Sequence, residues 1–163
     1  MSDEHLLREC DVHTYRASGP GGQKRNKIES AVRINHPPSG LTVVATESRS
    51  QHENRRRALK RLRRAIALNV RQDLDPGDFR LPDNLLEVVS LPSWPRVSSK
   101  LPEYLPLVGV VLDLLAACGG RLSDAARYLG VSTGSLSGFV TRDTKLHAAA
   151  NGIRAQAGLK PLR

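Results

Sequence analysis

The chain has 163 residues, with 25 lysines and arginines against 16 acids, a formal charge of +9 and a sequence pI of about 10.3. That balance favours a polyanionic partner, nucleic acid first, and a 39% apolar, 4% aromatic composition provides only modest cores, for one ordinary domain or two small ones. No run approaches the roughly 18 apolar residues of a membrane span, the start Ser2-Asp3-Glu4-His5 is unlike a signal peptide, and Cys10 and Cys118 lie too far apart to read as a metal knuckle, so a cytosolic protein with free thiols is expected.

Alternating patterns from Asp11 to Arg16 and from Ser30 to His36 predict two short strands. His36-Pro37-Pro38-Ser39-Gly40 supplies turn chemistry before Leu41-Thr42-Val43-Val44-Ala45, so the second and third strands are expected to form a hairpin. Between the first strand and that hairpin lies Arg16-Ala17-Ser18-Gly19-Pro20-Gly21-Gly22-Gln23. Its glycines and proline exclude a regular element and describe a turn that needs φ > 0 or close approach to a partner. Ser50-Gln51-His52-Glu53 has the form of a capping box at a helix start. In the long helix that follows, Leu59, Leu62, Ile66 and Val70 make one apolar stripe, and Arg55, Arg56, Arg57, Lys60, Arg61, Arg63 and Arg64 cover the rest.

Prolines 76, 82, 92, 95, 102 and 106, with the single tryptophan Trp94, mark residues 76–106 as a linker with a short packed segment at Leu85 to Val89. Leu107 to Cys118 then reads as an apolar helix stopped by Gly119-Gly120. Ala126, Gly130 and Leu136 have the spacing of a helix-turn-helix. A plain three-helix bundle fits equally, because the second helix has only Arg142 as a cation and base readout usually comes with phosphate-anchoring cations. Residues 1–75 carry 15 basic and 9 acidic side chains, the remainder 10 and 7, which places the basic surface mainly in the first part. The expected architecture is α+β: a domain at 1–75 with a small sheet, a glycine loop and a long basic helix, then the linker, then a small all-α domain at 107–163.

Several chemistries are excluded by residue type. A phosphate-binding loop would end in Gly-Lys-Ser/Thr, and a dinucleotide fingerprint would have glycine where Lys24 stands. His5, His13, His36, His52 and His147 lack metal-ligand spacing, and no Gly-x-Ser-x-Gly elbow occurs. Gln23 has no useful pKa and cannot act as a general base. Its amide can place a water, and both the amide and the backbone N–H can stabilise developing oxygen charge. Such a positioning loop gains most when inserted into a preorganised site that supplies the remaining groups.

The glycine loop, followed by Asn26-Lys27, Ser30-Ala31-Val32-Arg33, Pro38-Ser39-Gly40 and Arg49-Ser50-Gln51-His52-Glu53-Asn54, resembles the catalytic domain of class I peptide-chain release factors and related ribosome-rescue hydrolases. The resemblance covers roughly residues 8–72, and its specificity comes from separated motifs in the same order. It implies that Gly21, Gly22 and Gln23 enter the ribosomal peptidyl-transferase centre, where the glutamine helps water attack the ester of peptidyl-tRNA. It further implies that Lys24, Arg25, Lys27, Arg33, Arg49 and the basic helix face ribosomal RNA. A solvated charged face is the ordinary alternative for that helix, but no acid lies between Arg55 and Arg71 to pair within it.

A decoding release factor also has a stop-codon-reading domain, and the ten residues before the first strand leave no room for one. Small rescue hydrolases carry a long Lys/Arg-rich tail, whereas residues 152–163 are only mildly basic. The whole chain is most similar to release-factor-like bacterial proteins that join a Gly-Gly-Gln domain to a small helical domain. The expected activity is codon-independent peptidyl-tRNA hydrolysis by a cytoplasmic monomer on the ribosome, with no metal or organic cofactor. Two other classes fit parts of the sequence: a non-catalytic RNA-binding or adaptor protein of the ribosome, and a helix-turn-helix DNA-binding regulator.

Overall fold

Strand alternation in a small antiparallel sheet needs one helix to cover the apolar face, and the first part of the chain provides both. In a computed structural model, residues 3–16 and 29–163 are described. They divide into two compact units, the first ending at Ile66 and the second starting at Ala67. In the first, strands β1 (Asp11–Tyr15), β2 (Ala31–His36) and β3 (Leu41–Ala45) form one antiparallel sheet in that order. Val32 faces Ala45 and Ile34 faces Val43 in register, so these side chains share one face of the pleat. Val32, Ile34 and Ala45 pack with Leu6, Ala58, Leu59 and Leu62 as the first core. The expected β2–β3 hairpin is present. Its connection is a 3-10 turn at Pro37–Ser39, and Gly40 takes the left-handed conformation, φ 67°, that closes it.

Helix α1 (Asp3–Arg8) lies in the stretch read only as a polar start. Six residues with one buried apolar side chain give too little periodicity to notice, yet Leu6 is fully buried and Asp3 accepts a 2.9 Å hydrogen bond from Arg63 Nε. Helix α2 (Gln51–Asn69) carries Leu59 and Leu62 into the core as its stripe requires, with Ile66 packed at the edge. Val70 falls just beyond its end. His36, one of the histidines with no metal spacing, is a core residue: its ring nitrogens meet Ser39 Oγ at 2.7 Å and a Glu9 oxygen at 3.2 Å.

The second unit is all helical: α3 (Asp83–Ser90), a 3-10 turn at Trp94–Arg96, α4 (Tyr104–Ala117), α5 (Leu122–Leu129), α6 (Thr133–Arg142) and α7 (Thr144–Gln156). Within residues 76–106, the stretch read as a linker, Leu85, Val88, Val89, Trp94 and Tyr104 are buried in this unit's core. Proline density disguises that packing. Pro95 sits inside the 3-10 turn, and Pro106 occupies the first turn of α4, where its missing N–H removes no helical bond. The same tolerance lets α4 begin at Tyr104, three residues before the helix expected from Leu107. Gly119 and Gly120, both at positive φ, stop it as predicted.

Gly130 turns the chain between α5 and α6 at φ 76°, and Val131 N–H reaches Ala126 C=O at 3.0 Å, a Schellman closure. Ser132 and Asp143 then cap α6 and α7. The last residues fold back on α7: Leu162 N–H donates to Asn151 Oδ1 at 2.7 Å, and His147 Nε2 meets Leu162 O at 3.0 Å.

One ionic contact stands out in this unit. Asp113, buried on α4, accepts from Arg71 at 2.8 Å and from Gln72 N–H at 3.2 Å, while Arg71 also donates to Ala67 O at 2.6 Å and to Gly109 O at 3.3 Å. Burial pushes the Asp113 carboxyl up, against the opposing pull of Gln72 N–H and the Arg71 charge. With the folded value above the unfolded one, the folded chain holds this proton more readily, so acidification through that window costs no stability here. Removing the carboxylate is different, because it leaves a half-buried guanidinium unpaired. Asp113→Ala is therefore expected to lower the unfolding free energy of this unit by about 3 kcal/mol, read from urea denaturation, with Asp113→Asn losing less.

Candidate nucleic-acid interface

A loop can present a side chain accurately only if both of its ends are fixed. Residues 17–28, which include Gly21, Gly22, Gln23, Lys24, Arg25 and Lys27, lie outside the described residues; the chain on either side is described. The β1–β2 ladder runs up to Tyr15 opposite Ala31. Just beyond it, Arg16 Nε lies 3.6 Å from Glu29, an exposed pair that contributes little by itself.

The stronger restraint comes from α2. Asn54 is fully buried, and its amide nitrogen donates to Ser30 O at 2.6 Å and Ser48 O at 2.8 Å while its oxygen accepts from Ser48 N–H at 2.9 Å. One side chain thus ties the chain entering β2 to the turn entering α2. Sequence reading included Asn54 only as part of a motif. The usable signal was its position four residues before Ala58 and eight before Leu62, which puts a polar side chain on the apolar stripe, where it must find internal partners.

The capping box forms only in part. Ser50 Oγ accepts from Glu53 N–H at 3.3 Å, but Ser50 N–H goes to Ser48 Oγ at 3.1 Å. Glu53 accepts instead from Ser48 Oγ at 3.0 Å and from Arg57 at 2.6 Å. The competing partner is a cation one helical turn away, and a charge-assisted bond outweighs a neutral one.

The basic side chains sort into two groups. Arg57 pairs with Glu53 one turn away on the same helix, Arg61 with Glu47 and the Val44 carbonyl, and Arg63 with Asp3. The acids therefore come from residues flanking the run, and the Arg57 pair within the helix does not neutralise it. Hydrogen bonds from Arg61 and Arg57 hold the Glu47 and Glu53 carboxyls below the usual carboxylate range. Arg49, Arg55, Arg56 and Lys60 are exposed and make no hydrogen bond or ion pair with the described residues. Arg64 is half-buried near the helix's later turns. Arg33, exposed on β2, lies over the Tyr15 ring with 5.4 Å to its centroid, a cation–π contact at the loop's base.

The helix-turn-helix pair offers less to a duplex. Exposed residues at the start of α6 are Thr133 and Gly134, and the helix's one cation, Arg142, is at its far end. Among the described residues, no three His, Cys, Asp or Glu side chains come together as a metal site.

Fold and charge together define an α+β module whose helix carries cations without ion pairs among the described residues, with a glycine-rich sequence segment between firmly held strand ends. The RF-1 domain family matches residues 6–77. Peptide chain release factor 1 of Solidesulfovibrio magneticus is 51% identical over 65 residues, 40% of this chain and 18% of that protein. Peptide chain release factor 2 of Paramagnetospirillum magneticum is 58% identical over 55 residues, covering 34% and 15%. Peptide chain release factor 1 of Rickettsia bellii is 47% identical over 68 residues, covering 42% and 19%. The matches thus span less than a fifth of these relatives' length. Over residues 6–77 the chain thus matches an RF-1 domain and is class I release factor-like.

Removing the Asn54 amide would strand the Ser48 N–H and two carbonyls. Asn54→Ala is expected to destabilise the first unit by about 2–3 kcal/mol in urea denaturation and to speed hydrogen exchange at Ser48. Asn54→Asp, which sets carboxylate oxygen against the Ser30 carbonyl, should be at least as damaging.

Proposed function

We propose that this chain releases the nascent peptide from peptidyl-tRNA on the ribosome without reading a stop codon, as a rescue hydrolase. The observation that carries this reading is the RF-1 match across residues 6–77, which encloses Gly21-Gly22-Gln23 between β1 and β2. Water adds to the ester carbonyl and the bond to the tRNA 3′ oxygen breaks, giving a peptide carboxylic acid and a free tRNA hydroxyl. Gln23 orients the water or the developing oxyanion through its amide and N–H; Gly21 and Gly22 leave the backbone bare for close approach to RNA. Ribosomal RNA completes the site, so the chain needs no metal or organic cofactor and works as a monomer in the cytoplasm, where ribosomes are.

In the same reading Lys24, Arg25, Lys27, Arg33 and Arg49 flank the loop's RNA path, and α2 supplies a phosphate-facing row. Arg55, Arg56 and Lys60 contribute most, having no ion pair among the described residues to give up on binding. Arg57, Arg61, Arg63 and Arg64 add to the field more weakly, since the first three must exchange an existing partner.

Release of labelled peptide from ribosomes stalled on truncated mRNA, compared with ribosomes holding a stop or a sense codon, tests the proposal. Release on the truncated message is expected, and Gln23→Ala should slow it roughly 100-fold with ribosome affinity nearly unchanged. No release in any state overturns the enzyme reading and favours the adaptor class. Replacing Arg55, Arg56 and Lys60 together by alanine should weaken ribosome binding and flatten its log–log salt dependence by about 2.

A further inference from the structure

The helical unit has a cationic face of its own. Trp94 is buried with its ring centroid 5.4 Å from that of Phe139, which seats the 3-10 turn Trp94–Arg96 against α6. Two adjoining cavities result, sharing Pro95 and Arg142. One, of about 340 Å³, lies between Pro92, Pro95 and Arg96 on the turn side and Gly138, Thr141 and Arg142 on α6. The other, of about 310 Å³, has Val97 and Ser99 on one wall and Tyr104 and Phe139 within it. A Cβ on Gly138 would stand 3.9 Å from Pro95 Cβ, so glycine leaves the helix bare where the first cavity opens.

Arg96 and Arg142 are exposed and make no hydrogen bond or ion pair with the described residues. Asp143, the one acid lining either cavity, is already committed: it accepts from Tyr104 Oη at 2.7 Å and caps α7 through the N–H groups of Lys145 and Leu146 at 2.9 and 3.3 Å. Two guanidinium groups against one carboxylate leave the linings net positive, with both forks available to an anion. A fork of this kind matches phosphate oxygens in pairs. Volumes near 300 Å³ are at the small end for ligand sites, and two of them flanking one arginine repeat the order nucleoside, phosphate, nucleoside. Proline rings supply flat apolar walls, and Ser99 and Thr144 supply hydroxyls.

We propose that this face binds single-stranded RNA, with Arg96 and Arg142 holding a backbone phosphate and the cavities receiving the adjoining nucleosides. Single strands are specified because nucleosides must leave the helical stack to enter. Its residues are distinct from the cations of the α2 row.

Amide spectra of the full chain titrated with a short oligouridylate test this, with hexaglutamate and inorganic phosphate as parallel titrants. Expected are shifts at Gly138, Thr141, Arg142 and the Arg96 side chain, and a rise of about tenfold or more in Kd at these resonances in the double variant Arg96→Ala, Arg142→Ala. Resonances of Arg56 and Lys60 should respond to the oligonucleotide equally in both proteins, which keeps failure at α2 distinguishable from failure here. Absence of shifts on α6 at saturating oligouridylate, tighter binding of hexaglutamate, or equal affinity for inorganic phosphate would each overturn the proposal.

Discussion

Asn54 sits where no water reaches, so each polar atom of its amide has to be matched inside the protein, and the matches are Ser30 and Ser48. Those two serines belong to segments far apart in sequence: one leads out of the glycine-rich stretch into β2, the other leads out of β3 into α2. The sheet alone would not fix Ser30, since the β1–β2 ladder ends at Ala31. The helix alone would carry its cations without reference to the chain entering β2. A single buried amide puts both in one frame, and the loss of any of its bonds costs the full desolvation of the orphaned group. Ser48 extends the frame, its hydroxyl receiving Ser50 N–H and donating to Glu53.

Charge is arranged around that frame with the same economy. Pairing Arg57, Arg61 and Arg63 with acids at both flanks of the run relieves repulsion on a helix with seven cations in ten positions from Arg55 to Arg64. Full neutralisation would remove the attraction for a polyanion. Leaving Arg55, Arg56 and Lys60 without ion pairs among the described residues keeps a row whose counterions can be released when phosphates replace them. Exposed ion pairs exchange partners at little cost, so the paired arginines remain available as a second tier.

Much of this was legible in the residues. Alternation at Val32 and Ile34 and at Val43 and Ala45, the stop at Gly119-Gly120 and the turn at Gly130 are local rules, and local rules read correctly. Three features were not legible for reasons that are physical. Helix α1 is too short to show a period, and its existence depends on burying Leu6 under α2. The stretch around Trp94 reads as a linker because of its prolines, yet Pro95 and Pro106 sit where no backbone donor is needed. Glu53 looked like half of a capping box because sequence shows Ser50 and not the competing claim of Arg57. At the candidate site the cations were legible individually, but the distinction between paired and unpaired ones depends on Glu47 and Asp3, which no helical spacing connects to Arg61 and Arg63.

The distribution of ionisable groups bears on what kind of catalyst the proposed hydrolase is. A self-contained hydrolytic site brings together titratable groups with opposed environments, because an acid and a base must work at one pH. Among the described residues the ionic pair with both partners shifted by burial is Arg71–Asp113, and it ties Gln72 and Ala67 to α4 in the second unit. In the first unit Glu9 meets the rings of His5 and His36, while Asp3, Glu29, Glu47 and Glu53 pair with arginines, in positions that suit electrostatics and not proton transfer. Gln23, having no proton to exchange, matches that pattern: a side chain of this kind gains rate only through where it is held and what surrounds it. On the proposed reading, selection acts on the stiffness of the loop's ends and on the cations that dock them, which is where the buried amide and the unpaired row are found. Specificity then has to come from delivery, and delivery by two RNA contacts on two units multiplies their affinities when both fit one ribosomal geometry and forfeits the gain when they do not.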